Sequence, residues 1–316
     1  MARVADDRIP RPAGRRQDRR RGSSPLGSHP ELGGGRRRPR RRDDPDVADR
    51  ADRAGQRPDQ GVGRGRGHGP ADERNRIQLG MRCLLVEHPA GHVLIDTGAG
   101  NKESDKFKDI YGIENEGGEN RTSLEDGLQQ LGVSNSDIAV VINTHLHFDH
   151  AGGNTWLNPD GQVELSFPRA RYVVKKGEYD YAMHPNERTA ASYFERNYLP
   201  VVRSHQFEFV VREKEIVKGI RVIPTPGHTP FHQSVLIESA GERALYLADM
   251  CPTAAHLPLP WIMGYDVEPL VTLETKRRIF RQAEDENWLL IFEHDATVPW
   301  GRIEHDGKSY RLRSPD

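Results

Sequence analysis

NTHLHFDHAGG, residues 143–153, holds His145, His147, Asp149 and His150 within six positions. Three imidazoles and a carboxylate in one short loop are costly to enclose in a fold unless a cation binds them. The loop follows IAVVI (138–142), an apolar run that reads as a buried strand. Working outward, three more apolar runs end on the same residue types. IRVIPTPGHTP (220–230) delivers His228, RALYLADM (243–250) delivers Asp249, and WLLIFEHD (288–295) delivers His294. A layered α/β fold gathers such strand ends on one edge, where loops build sites.

The candidates are five imidazoles and two carboxylates, with no thiolate among them. A single structural zinc takes four ligands and usually prefers cysteine. Seven oxygen and nitrogen donors suit two ions that share a carboxylate, with a water or hydroxide between them. Hydrolytic pairs of this kind sit roughly 3.5–4 Å apart. Imidazole and carboxylate suit Zn, Fe, Mn or Co, with Zn2+ the expected pair.

The rest of the chain divides by composition. Residues 1–70 contain 19 Arg, 10 Asp or Glu, no Lys and no aromatic residue, while the remainder has 27 basic against 37 acidic residues. Runs such as GGGRRRPRRRDDPD cannot bury enough surface to offset their ordering entropy, so residues 1–72 are expected to be disordered, and 73–316 to form the catalytic domain. The abrupt change of style also fits a displaced start or a frameshift. Nucleic-acid binding is not expected, because acids interrupt the basic runs and no aromatic residue is there to stack on bases. No signal peptide or membrane span is visible. Cys83 and Cys251 are read as free thiols, and the cytoplasm as the compartment.

Within 73–316, MRCLLVEH (81–88) and HVLIDTG (92–98) read as a hairpin, and SLEDGLQQLG (123–132) as a helix ending on Gly132. ARYVVKK (170–176) reads as a strand, QSVLIES and RALYLADM as a second hairpin, and LETKRRIFRQAEDE (273–286) as an amphipathic helix with a solvated charged face.

His145-x-His147-x-Asp149-His150 resembles the signature of the metallo-β-lactamase superfamily, and PTPGHTP, LADM and FEHD resemble its later metal motifs in the same order. The resemblance implies an αββα sandwich with metals at one edge. It assigns His145, His147 and His228 to one metal and Asp149, His150 and His294 to the other, with Asp249 bridging. It implies a hydrolase in which a hydroxide between the ions attacks a carbonyl and Asp149 handles its proton. Asp96, in IDTG, resembles a supporting residue beside the site, and His232 reads as support or packing. TPGHTPFHQS and HLHFDHAGG look most like the quorum-quenching N-acyl-homoserine lactonases, which implies a small lactone or ester substrate and raises the expectation of a homodimer. Those lactonases carry a Tyr three residues after the bridging Asp. Here that position is Pro252, and His256 or Tyr265 is expected to take over its contact with substrate.

Other activities fit less well. A phosphotriesterase or arylesterase would use the same metals, and a glyoxalase II-like thioesterase would add basic residues to hold glutathione. The non-enzyme reading is an inactive binding protein of the same fold, because an Arg-rich segment stands where this fold normally has a leading strand pair.

Overall fold

The computed structural model describes residues 71–74 and 76–314. The expected disordered segment 1–72 therefore lies, but for its last two residues, outside the described residues.

Two mixed sheets follow from the apolar runs. In the first, β1 (Leu84–Val86) pairs antiparallel with β2 (His92–Ile95). Next come β3 (Ile138–Ile142), β6 (Arg171–Lys175) and β7 (Phe207–Val210), all parallel to β2. Between β3 and β6 the chain makes a small separate hairpin, β4 (Thr155–Leu157) and β5 (Val163–Leu165). The second sheet runs from β8 (Lys214–Val217) through β9 (Ile220–Pro224), β10 (Gln233–Ser239), β11 (Glu242–Tyr246) and β12 (Leu289–Ile291) to β13 (Trp300–Gly301).

Side chains alternate across each strand. Val93, Ile95, Val140, Ile142 and Val173 of the first sheet pack against Val222, Val235 and Tyr246 of the second. The opposite faces are covered by helices. Leu94, Val141 and Tyr172 meet Leu128 of α2 (Ser123–Gln130), which follows a first helix, α1 (Asp105–Tyr111). Leu236, Leu245 and Leu290 meet Ile279, Phe280 and Ala283 of the long C-terminal helix (Pro269–Asp285). Sheets buried on both faces explain why strands such as IAVVI read as continuous apolar runs. The result is the expected four-layer αββα sandwich.

Two readings need correction. The C-terminal helix begins at Pro269, not at 273; proline suits the first helical turn, whose N–H groups have no intrahelical partner. Its charged face is not wholly solvated either. Lys276 is buried, and its Nζ donates to the carbonyls of Pro258, Leu259 and Trp261. It thereby pins the loop that carries His256 and Tyr265 onto the helix.

Strand direction places the site. β2 and β3 are parallel, and β9, β11 and β12 share a direction within their own sheet. Asp96, His145, His228, Asp249 and His294 each lie within a few residues of the C-terminal end of one of these strands. Among the described residues no named strand precedes β1. The chain there makes one isolated bridge, Leu79 with Asp295, and the Gly80 and Arg82 N–H groups donate to the His294 and Glu293 carbonyls.

Candidate metal centre

His147 caps a short helix, α3 (Phe148–Ala151), so the HLHFDH run leaves β3 extended and then turns helical. The change of backbone lets His145, His147 and His150 face one place. Gly152 permits the loop to lie against residues 97–99, where a β-carbon would stand 2.2 Å from the Ala99 carbonyl oxygen. Asp96 and Ala248 both hold positive φ, 55° and 47°. That conformation is unfavourable for such residues and is seen where a site imposes it.

Two groups of donors result. His145, His147, His228 and Asp249 offer ligand atoms within 4.8 Å of one another, and so do Asp149, His150 and His294. Asp249 lies between the groups. Its Oδ2 is 3.1 Å from His228 Nε2 and 3.1 Å from His150 Nε2, and its Oδ1 is 3.2 Å from His294 Nε2. All seven are buried save Asp149, whose side chain is 28% exposed.

The donor set fits metal ions. His145 Nε2 and Asp249 Oδ1 are buried without a hydrogen-bond partner. His147 Nδ1 faces His228 Nε2 at 3.1 Å, and His150 Nε2 faces His294 Nε2 at 3.3 Å. Two imidazole nitrogens satisfy each other only if one is protonated, whereas a cation between them satisfies both. His147 Nε2 is also buried without a partner.

The outer nitrogens are fixed by a further layer of contacts. His228 Nδ1 meets Asp266 Oδ1 at 3.0 Å, and Asp266 also accepts from the Thr272 hydroxyl. His150 Nδ1 lies 3.0 Å from Asp96 Oδ2, while Asp96 accepts from the Thr144 N–H and hydroxyl. His294 Nδ1 donates to the Gly80 carbonyl at 2.8 Å. Each contact leaves the inward nitrogen as a lone-pair donor.

Sequence reasoning named Asp96 but missed Asp266, Glu293 and Glu178. Glu293 is fully buried with its oxygen 3.2 Å from His150 Nδ1, and burial together with Asp96 raises its pKa to about 7. Its position beside His294 in FEHD was the available signal. Among the other predicted residues, His232 is buried, with Nδ1 on the Thr225 hydroxyl and its ring 5.2 Å from that of His145. Tyr265 sits edge-on to His228 at 5.7 Å and is 55% exposed. His256 Nδ1 is 2.7 Å from the Thr253 hydroxyl. Cys251 is a buried free thiol.

Electrostatics separate the histidines. Burial holds His145 and His147 well below the ordinary imidazole value, and neighbouring imidazoles add to the effect. Burial alone would lower the others too, but carboxylates outweigh it. Asp249 and Asp266 raise His228, and Glu293, Asp149 and Asp249 raise His150. Asp249 and Glu293 push His294 up to about 10. In the metal-free protein these raised groups hold their protons more tightly than an ordinary imidazole, and a metal must compete with those protons. Adding Zn2+ to metal-free protein in weak buffer at pH 7 is expected to acidify the solution. Affinity is expected to climb as pH rises from the ordinary imidazole range towards the raised value of His294. Metal uptake without proton release, followed with a pH indicator, would contradict the charge pattern.

Comparisons with known proteins agree with this geometry. The family model described as the metallo-beta-lactamase superfamily matches residues 82–294. N-acyl homoserine lactonase AiiA of Bacillus thuringiensis subsp. kurstaki is 28% identical over 236 residues, covering 69% of this chain and 82% of its own. A solved structure described as a probable metal-dependent hydrolase from Staphylococcus aureus superposes with a TM-score of 0.68 at 28% identity, covering 78% and 86% of the two chains. An N-acyl homoserine lactone hydrolase solved with the product N-hexanoyl-L-homoserine at its catalytic metal center superposes at 0.55 with 27% identity, covering 70% and 84%. Among the described residues no helix is long and apolar enough to cross a membrane.

Proposed function

The chain belongs to the metallo-β-lactamase superfamily, and on that premise we propose that it is a dinuclear metal-dependent hydrolase that opens a lactone or cleaves a carboxylic ester. The observation that carries the reading is Asp249, whose carboxylate meets both donor groups, with Oδ2 at His228 and His150 and Oδ1 at His294, and neither group contains a thiolate. His145, His147 and His228 would hold one ion and Asp149, His150 and His294 the other. Zn2+ is the proposed pair, and Fe, Mn or Co would suit the same donors. When bound, a pair of divalent ions supplies Lewis acidity and lowers the pKa of water between them.

The chain's own residues do the rest. Asp149 is the most exposed of the seven, which suits a carboxylate that orients a water and takes its proton. Asp266 and Asp96 fix the tautomers of His228 and His150, as described above. Tyr265 is the better placed of the two substrate-contact candidates, since its ring packs on His228 and stays half exposed. Phe148, which precedes Asp149 in the chain, belongs to an aromatic cluster with Phe107, Tyr111 and Phe194, in which Phe107 is 5.0 Å from Phe148 and 5.4 Å from Phe194. The lactones named for the relatives make an N-acyl lactone the first substrate to try.

The test compares an N-acyl lactone, an aryl ester and a phosphotriester on the same Zn2+-loaded sample. The lactone is expected to give a kcat/KM about tenfold or more above the others, a difference of about 1.4 kcal/mol in transition-state binding. A phosphotriester ranking first would move the protein to that activity. No turnover by a chain that holds both ions would favour the binding-protein reading.

A further inference from the structure

One buried carboxylate touches none of the candidate ligands and yet braces three of them. Glu178 lies in the first turn of α4 (Lys176–Ala182) and is fully buried. Its Oε1 accepts from the Leu146 N–H at 3.2 Å and from the Tyr193 hydroxyl at 2.9 Å, and its Oε2 accepts from the Thr229 hydroxyl at 2.7 Å. Leu146 stands between His145 and His147, and Thr229 follows His228. Tyr193 packs its ring 4.7 Å from that of His147, and its backbone bridges to the same histidine.

A charged acceptor with several donors is strong and geometrically demanding, particularly where water is excluded. Moving Glu178 would release the loop after β3 from the loop after β9, which together carry the imidazoles of the first group. The second group has different braces: Asp96 and Glu293 at His150, and the Gly80 carbonyl at His294. Asp96 also reaches the first group through Thr144, whose hydroxyl lies 3.1 Å from His145 Nδ1, whereas the hydrogen bonds of Glu178 go to the first group's surroundings.

We propose that Glu178 is the positioning residue of the first ion position, formed by His145, His147 and His228, and that it sets affinity there independently of the second. The assignment rests on the dinuclear reading above. Outer partners of metal ligands typically change affinity by about 10–100-fold when removed.

The test titrates metal-free wild type, Glu178→Gln and Thr229→Val with Co2+, following the visible spectrum, and repeats the series in a His294→Ala background that isolates the first position. Gln keeps the shape of Glu178 but offers an amide in place of one acceptor. Glu178→Gln is expected to weaken the first position by about 10–100-fold and shift its Co2+ spectrum, leaving the second step unchanged. Thr229→Val, which removes one donor, should weaken the same step by less. It also keeps the assignment testable if Glu178→Gln does not fold. Unchanged affinity at the first position, or equal weakening of both positions with a lower Tm of the metal-free protein, would overturn the assignment. Uptake of fewer than two ions by wild type would overturn the dinuclear reading itself, and the assignment with it.

Discussion

Asp249→Ala is expected to lower kcat/KM by on the order of a thousandfold, about 4 kcal/mol of transition-state stabilisation, and to reduce bound metal from two ions per chain. Asp249 meets both donor groups, through Oδ2 at His228 and His150 and through Oδ1 at His294. It is also the anion that raises His228 and His294 against the effect of burial, while those imidazoles and His150 hold its own carboxyl well below the ordinary range. Removing it takes away the carboxylate that faces the inward nitrogens of His228, His150 and His294, while their outer partners stay in place, so the loss should appear in metal content before any loss of folded structure. The checks are steady-state kinetics beside metal analysis and a circular-dichroism melt of the same preparation. A variant that keeps two ions and most of its activity would show that Asp249 does not join the groups.

Asp149→Asn should behave differently. Asp149 offers an oxygen 3.7 Å from His150 Nε2 and 3.9 Å from His294 Nε2, farther than Asp249 stands from either, and it is the member of the set that solvent reaches. Asparagine keeps the size and one oxygen but cannot take a proton. The expected loss is about 10²–10⁴-fold in kcat, the usual range for general acid–base catalysis, with KM changed little. The ion held by His145, His147 and His228 should remain, because Asp149 is not among its neighbours. Kinetics on metal-loaded variant protein decide the point. Wild-type kcat would remove Asp149 from proton transfer, and loss of both ions would show that it supports the whole centre and not the second position alone.

The layered α/β character and the gathering of the candidates at strand ends were legible for a common physical reason, while the αββα arrangement came from the family resemblance. Strands buried on both faces must be apolar, so each ended visibly where a polar residue began, at His145, His228, Asp249 and His294. The supports were not legible, because they act across the chain. Glu178 reaches Thr229 over 51 positions and Asp266 reaches His228 over 38. A carboxylate in KKGEYD or MGYD looks like any surface residue until packing closes over it. Lys276 shows the same limit from the other side. Its helical position looked solvated, yet three backbone carbonyls from the 258–261 turn surround its ammonium. The N-terminal boundary of its helix was missed because proline is a helix breaker in the interior but a good first residue.

The central claim, that two donor groups joined by Asp249 form a dinuclear centre, is tested most directly by counting metal. Wild-type protein would be stripped with a chelator, reconstituted with Zn2+, dialysed and analysed by plasma emission against protein concentration. The account predicts two ions per chain. One ion or none, on protein whose circular dichroism shows it folded, would contradict it.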